Sequence, residues 1–273
     1  MPNIQDGQMP EWYQKRRQNL LNTLMASTAT GAVSVSCSPS GKYKCEQTTY
    51  VHEGTYEFNG EQRTSKTTLV EAKFFKGDEL VSRVLKESGH TGFPLSWIEN
   101  HCNGHDYAIC NEDEHGGLTV IELDTGKQVT NVEDGAEHGV GFFAFAYYPS
   151  PDCKTLMIQG TYWGCAFDCL YFCDFTNPLQ MPWTQVELDL AVQYPHVVGW
   201  KEDSSGVITE ERDKVTEDGR TSDDVYLDKK KNRNTDWSKV LANWRVRRYF
   251  SPRDGRESVV EGIEMLPLDA FQQ

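Results

Sequence analysis

A chain of 273 residues with 38% hydrophobic and 11% aromatic side chains carries enough apolar material for one large β domain or two small ones, which excludes global disorder. Its 41 acidic against 27 basic residues leave a formal charge of -14 that repels phosphate backbones and anionic membrane, so neither nucleic acid nor a membrane is an expected partner. Eight cysteines without a signal-peptide pattern or an Asn-x-Ser/Thr acceptor point to reduced, mostly buried thiols in a soluble cytoplasmic protein.

Residues 10–25 place Trp12 or Tyr13, Leu20 or Leu21, and Leu24 near helical spacing, which predicts one amphipathic helix packed outside the main body, within an N-terminal segment 1–30. The period then changes. Val33 and Val35 alternate with Ser, residues 68–75 are β-branched and aromatic, and residues 118–123 read Leu-Thr-Val-Ile-Glu-Leu before the turn Asp124-Thr125-Gly126. Residues 142–148 and 155–158 are further strands, divided by Pro149-Ser150-Pro151-Asp152. Short runs at this spacing predict antiparallel sheet and a single β domain over residues 31–273. The longest apolar run, residues 140–148, is about half of the roughly 20 residues a membrane helix needs. Residues 201–238 differ, because 19 of the 38 are charged; they predict either a mobile insertion or exposed edge strands joined by solvated turns. Three short basic groups, Lys15-Arg16-Arg17, Lys229-Lys230-Lys231 with Arg233, and Arg245-Arg247-Arg248, read as solvated faces.

Internal repetition is the most informative pattern. Ser38-Pro39-Ser40-Gly41-Lys42 recurs as Ser150-Pro151-Asp152-Cys153-Lys154, and at the same offset of 112 Gln47, Thr49 and Tyr50 recur as Gln159, Thr161 and Tyr162. A looser copy is Ser251-Pro252-Arg253-Asp254-Gly255-Arg256. A second echo relates residues 107–127 to 155–178, both reading strand, loop, strand, acidic turn. The Ser-Pro-Asp-x-Lys entry to a strand, followed by a strand ending in Leu-Asp-Thr-Gly-Lys or Asp-Phe-Thr-Asn-Pro, resembles the blade pattern of β-propellers of the WD-repeat-like kind over residues 93–186. That resemblance implies an all-β, antiparallel, β-propeller-like fold of five or six blades, each of ~40 to 50 residues. The structural alternative is a β-sandwich.

The loops 111–117 and 159–168 occupy equivalent places in the echoed units and are expected on one rim. Tyr162 and Trp163 offer amphipathic contact area, while Glu112, Asp113, Glu114 and Asp168 offer charge, a mixture suited to a protein or peptide partner. His101, Cys102 and His105 with Cys110 and His115 form the densest group of metal-capable side chains, but their spacing is not that of a zinc finger or ribbon, and Asn103-Gly104 reads as a hairpin turn. His101 and His105 are expected to approach across it, with Cys102 and Cys110 pointing into a core. Cys165, Cys169 and Cys173 share one strand parity and read as packing. No nucleophile elbow, phosphate loop, zinc-protease helix or dinucleotide fingerprint occurs. The expected function is a non-enzymatic interaction module without cofactor, metal or catalytic residue. Its rival is a hydrolase, acting on glycans with paired carboxylates such as Glu112, Asp113 and Asp168 near its cleft.

Overall fold

The computed structural model describes residues 9–87, 93–113, 117–133, 135–162, 168–188, 195–221, 224, 240–255 and 257–271. These form one N-terminal helix and four antiparallel sheets, each of four strands in consecutive order, which is the sheet unit of a β-propeller blade. The all-β, propeller-like reading thus holds at the level of its sheets. The first sheet holds β1 (Thr28–Cys37), β2 (Tyr43–Phe58), β3 (Glu61–Lys76) and β4 (Glu79–Glu87), and the second β5 (Leu95–Ile98), β6 (Tyr107–Asp113), β7 (Gly117–Glu122) and β8 (Gln128–Val132). The third holds β9 (Phe142–Pro149), β10 (Thr155–Tyr162), β11 (Cys169–Asp174) and β12 (Gln185–Glu187), and the fourth β13 (His196–Trp200), β14 (Gly206–Thr216), β15 (Leu241–Pro252) and β16 (Val259–Pro267). The second and third sheets match the expected blade length. The first is longer, because β2 and β3 run for 16 residues each.

The chain divides into two compact units, residues 1–186 and 187–273. In the first, the second sheet is buried on both faces. Alternate residues of β6 serve different cores: Ala108 and Cys110 join Tyr43, Cys45, Phe74 and Val84 of the first sheet, whereas Tyr107 and Ile109 join Leu156, Tyr171 and Cys173 of the third. A strand buried on both sides cannot alternate apolar with polar, which is why Tyr-Ala-Ile-Cys reads as a continuous apolar run.

The echoed Ser-Pro sequences are one turn used twice. Between β1 and β2 the Ser38 N–H donates to Tyr43 O, the Gly41 N–H to Ser38 O, and the Tyr43 N–H to Ser38 Oγ. Between β9 and β10 Ser150, Cys153 and Thr155 repeat those three bonds. Gly41 (φ 75°) and Cys153 (φ 56°) hold the same left-handed position, so Cys153 stands where a glycine costs less. The corresponding turn of the fourth sheet is Lys201 to Gly206, where Lys201 N–H donates to Gly206 O and Ser204 N–H to Lys201 O. Ser251-Pro252-Arg253-Asp254-Gly255, expected as the third copy, instead follows the third strand of its sheet. Two carboxylates of the second sheet clamp the first of these turns. Glu99 accepts from Ser38 Oγ at 2.7 Å and Ser40 N at 2.9 Å, and Asp106 accepts from Lys42 Nζ at 2.6 Å, Asn100 N at 2.8 Å and the Tyr43 hydroxyl at 2.9 Å.

Helix α1 (Glu11–Met25) follows Pro10, whose fixed φ suits a helix start, and buries Tyr13 and Leu20 two turns apart. Its Arg17 reaches the second sheet, where the guanidinium grips Glu112 with two hydrogen bonds and donates to Thr130 Oγ1 at 2.9 Å. The Thr119 hydroxyl also donates to Glu112, at 2.8 Å.

In the second unit, the charged segment 201–238 contributes β14, an interior strand of its sheet; residues 222–223 and 225–238 lie outside the described residues. Its acids face the arginines of β15: Glu210 pairs Arg248 at 2.8 Å, Glu211 pairs Arg247 at 2.9 Å, and Asp213 pairs Arg245 at 2.9 Å. The basic group 245–248 is thereby matched charge for charge within its own sheet.

Two outcomes follow from these anchors. Arg17→Ala leaves a buried carboxylate without its cation and should lower stability by about 3 kcal/mol in urea unfolding, whereas Arg17→Met with Glu112→Leu should recover part of that loss. Burial pushes the Asp106 carboxyl up, but the Lys42 ammonium, the Asn100 N–H and the Tyr43 hydroxyl outweigh it and hold it below its usual value. A depressed carboxyl stabilises the fold above its unfolded value and stops doing so as pH falls through the folded one. Asp106→Asn should therefore lose less stability than the parent on acidification below about pH 4 in a pH series of unfolding midpoints.

Candidate functional site

The strands that end in the two predicted rim loops meet. Asn111 near the end of β6 is buried, donates to Ala144 O of β9 at 2.6 Å, and accepts from the Tyr147 hydroxyl at 3.0 Å. Ala144 lies opposite Gly160 of β10, and Tyr162 pairs with Phe142. The β6–β7 and β10–β11 hairpins thus bring their flanking residues together in one unit.

Between these strand ends lies a cleft of about 360 Å³. The second sheet contributes Asn111, Leu118, Asn131 and Val132; the third contributes Phe142, Tyr162 and Tyr171; the segment before β12 adds Met181 and Trp183. Three rings stand at steep mutual angles. Phe142 is 5.0 Å from Tyr171 at 87° and 5.3 Å from Tyr162 at 58°, measured between ring centroids. Gly160 makes that arrangement fit, since a Cβ there would sit 2.4 Å from the Phe142 ring and 2.1 Å from Phe143 O. The Tyr162 and Tyr171 hydroxyls bond one another at 3.1 Å, and the Trp183 indole N–H donates to Pro178 O at 3.2 Å. Glu133 brings a carboxylate to the rings, its Oε2 accepting from the Phe142 N–H at 3.1 Å.

Of the residues expected at the site, Tyr162 lines this cleft. Glu112 does not: it is 2% exposed, and Arg17, Thr119 and Thr130 surround its carboxylate. The adjacent parity explains the difference, because Asn111 faces the third sheet and Glu112 faces the helix side. Asp168 lies on the other face of the third sheet, where it accepts from Gln159 Nε2 at 2.9 Å. Glu114, Trp163 and the side chain of Asp113 lie outside the described residues.

Of the His101 group, Cys102 Sγ lies 3.9 Å from His101 Nδ1, His105 bonds elsewhere, and His115 lies outside the described residues. His101 is buried, and its Nε2 donates to Phe175 O at 3.0 Å while Nδ1 accepts from the Asn103 N–H. His105 is exposed and pairs with Asp124 at 2.7 Å. Asn103-Gly104 forms the expected turn, with Gly104 at φ 90°. Cys110 is buried as expected, but Cys102 is exposed, because it projects from the turn rather than from a strand. Among the described residues no three His, Cys, Asp or Glu side chains are placed to share a metal ion. Cys169 and Cys173 belong to the core between the second and third sheets, and burial pushes the Cys173 thiol up to about 12, so it packs as a neutral side chain; Cys165 lies outside the described residues. No helix of the described residues is long and apolar enough to cross a membrane.

Residues missing from the sequence reading are Glu133, Phe142, Tyr171 and Trp183. They come from four separate stretches, and of the four only Tyr171 falls within the strand echo. Paired-carboxylate chemistry needs a second acid across the cleft, and Glu133 is the carboxylate its described lining supplies.

Burial raises the Asp168 carboxyl above its usual value, and the Gln159 hydrogen bond opposes this only in part. A raised carboxyl loses stabilisation as pH climbs from its unfolded to its folded value. Asp168→Asn keeps an acceptor for Gln159 without the charge; it should be more stable than the parent at neutral pH, with the gap closing below about pH 4 in thermal melts.

No family model matches this chain, and no curated protein does. Among solved structures, a Bacteroides ovatus chain described as a proposed dipeptidyl aminopeptidase IV aligns over 87% of this chain at 12% identity with a TM-score of 0.40, a likeness too slight to carry an argument. This chain spans 41% of that one's length.

Proposed function

We propose that the chain is a non-enzymatic, propeller-like interaction module of the WD-repeat-like kind. It binds a peptide segment of a protein partner where the β6–β7 and β10–β11 hairpins converge. The observation that carries this reading is the cleft itself: a preformed concavity with an aromatic wall and two amide side chains, Asn131 and Gln185, at the meeting of two hairpin ends. Aromatic side chains give large contact area at low entropic cost, and amides fix a peptide backbone by donating and accepting together. Tyr162 is the half-buried anchor. Trp163, Glu114 and Asp113 are kept as further contacts on the sequence pattern alone, whereas Asp168 is bonded to Gln159 on the other face of the sheet and Glu112 holds the helix to β6 through Arg17.

The test uses a displayed random-peptide library panned against the full chain. Enriched peptides should lose at least about 10-fold in affinity against Tyr162→Ala/Trp163→Ala, with the circular dichroism spectrum unchanged. Failure to enrich any peptide would remove the module reading, and equal binding to parent and variant would remove this site.

A further inference from the structure

Two cysteines meet at the strand ends opposite the cleft. Cys102 sits in the turn that leads into β6, and Cys153 in the turn that leads into β10. The backbone of Phe175 holds these turns together: its N–H donates to Lys154 O at 2.9 Å, and its carbonyl accepts from His101 Nε2 at 3.0 Å. Each bond is made by a chain neighbour of one cysteine, so the two turns cannot drift apart without breaking one. Cys102 Sγ consequently lies 4.0 Å from Cys153 O, although 51 positions separate the two residues in sequence. Core packing explains buried Cys169 and Cys173 but not this pair. Cys102 is exposed, and Cys153, only partly buried, holds a left-handed position that the equivalent turn of the first sheet gives to Gly41.

The two thiols differ in access. Cys102 projects from its turn and is the one a reagent in solution reaches. Burial pushes the Cys153 thiol above its usual value, and negative charge on Cys102 or Asp152 acts in the same direction. An accessible thiol beside a protected one divides into an attacking and a resolving partner. We propose that Cys102 and Cys153 form a reversible disulfide site, closed by exchange with a small-molecule disulfide such as oxidised glutathione. The Cys102 thiolate attacks one reagent sulfur; a mixed disulfide forms, the reagent S–S bond breaks, and one glutathione thiolate leaves and takes up a proton. Cys153, as its thiolate, then attacks the Cys102 sulfur; the intramolecular bond forms, the mixed disulfide breaks, and the second glutathione leaves in the same way. Two protein thiols are oxidised and one reagent disulfide is reduced to two thiols, and a dithiol reductant reverses both steps. The bond ties the second sheet to the third at the far ends of β6 and β10, and its long sequence separation makes it a strong restraint on the unfolded chain. The inference stands independently of the peptide-binding reading.

The test incubates the full chain in a series of reduced and oxidised glutathione buffers, alkylates the remaining thiols, and maps the products by proteolysis and mass spectrometry. Cys102 should be found cross-linked to Cys153 at least about 10-fold more often than joined to glutathione. Cys153→Gly, which suits the left-handed backbone, should halt the reaction at the Cys102 mixed disulfide, and Cys102→Ser should leave Cys153 as a thiol. The cross-linked chain should melt about 5 °C above the reduced one. A mixed disulfide that persists on Cys102 of the parent would overturn the proposal, and so would two thiols that stay open to alkylation throughout the series. A cross-link from either residue to another cysteine, Cys165 included, would assign the chemistry elsewhere and overturn it as well. So would a cross-linked chain that melts no higher than the reduced one, because the native turns would then not admit the bond.

Discussion

The burial of β6 on both faces is the constraint on which the first unit depends. A strand between two sheets can present apolar side chains to each, and Tyr107 to Cys110 do so, but its last residues carry polar groups into the same interior. Leaving such groups unpaired costs more than their bonds return when made, so each requires a partner within the fold. Asn111 finds the backbone and tyrosine of β9, and Glu112 finds Arg17. One of these bonds draws the third sheet to the end of β6; the other draws the helix. The cleft lies beside the first, so its shape depends on a hydrogen bond at its floor as well as on the rings that wall it.

What was legible in the sequence was local. The helix over residues 11–25 and the paired strands on either side of 114–116 and 163–167 announce themselves through period and turn residues, because neighbours along the chain generate those signals. The Ser-Pro turn was legible too, and the structure gives its physical content: a serine whose carbonyl accepts within the turn and whose hydroxyl receives the N–H of the next strand. The same Ser-Pro pair misled at residue 251. A Ser-Pro pair states that the chain turns there, but which two strands the turn joins is decided by pairing across the sheet.

The site was legible only where it is local. Tyr162 was found from an echoed strand, whereas Glu112 looked like an accessible acid because its partner stands 95 residues earlier, and no linear pattern links them. Phe142, Tyr171, Trp183 and Glu133 converge through sheet pairing and through the bare Cα of Gly160, which admits the Phe142 ring. That glycine resembles any other in the sequence, and its meaning appears only when a cross-strand neighbour is placed above it.

Each sheet is a meander in which every strand pairs with its immediate predecessor. The chain therefore closes mostly short loops as it organises, and within each hairpin little of the ordering entropy is spent on bringing distant segments together. Sheets of this kind zip from successive hairpins, so the slow event in folding should be the late docking of the helix and the stacking of finished sheets, rather than the pairing of strands.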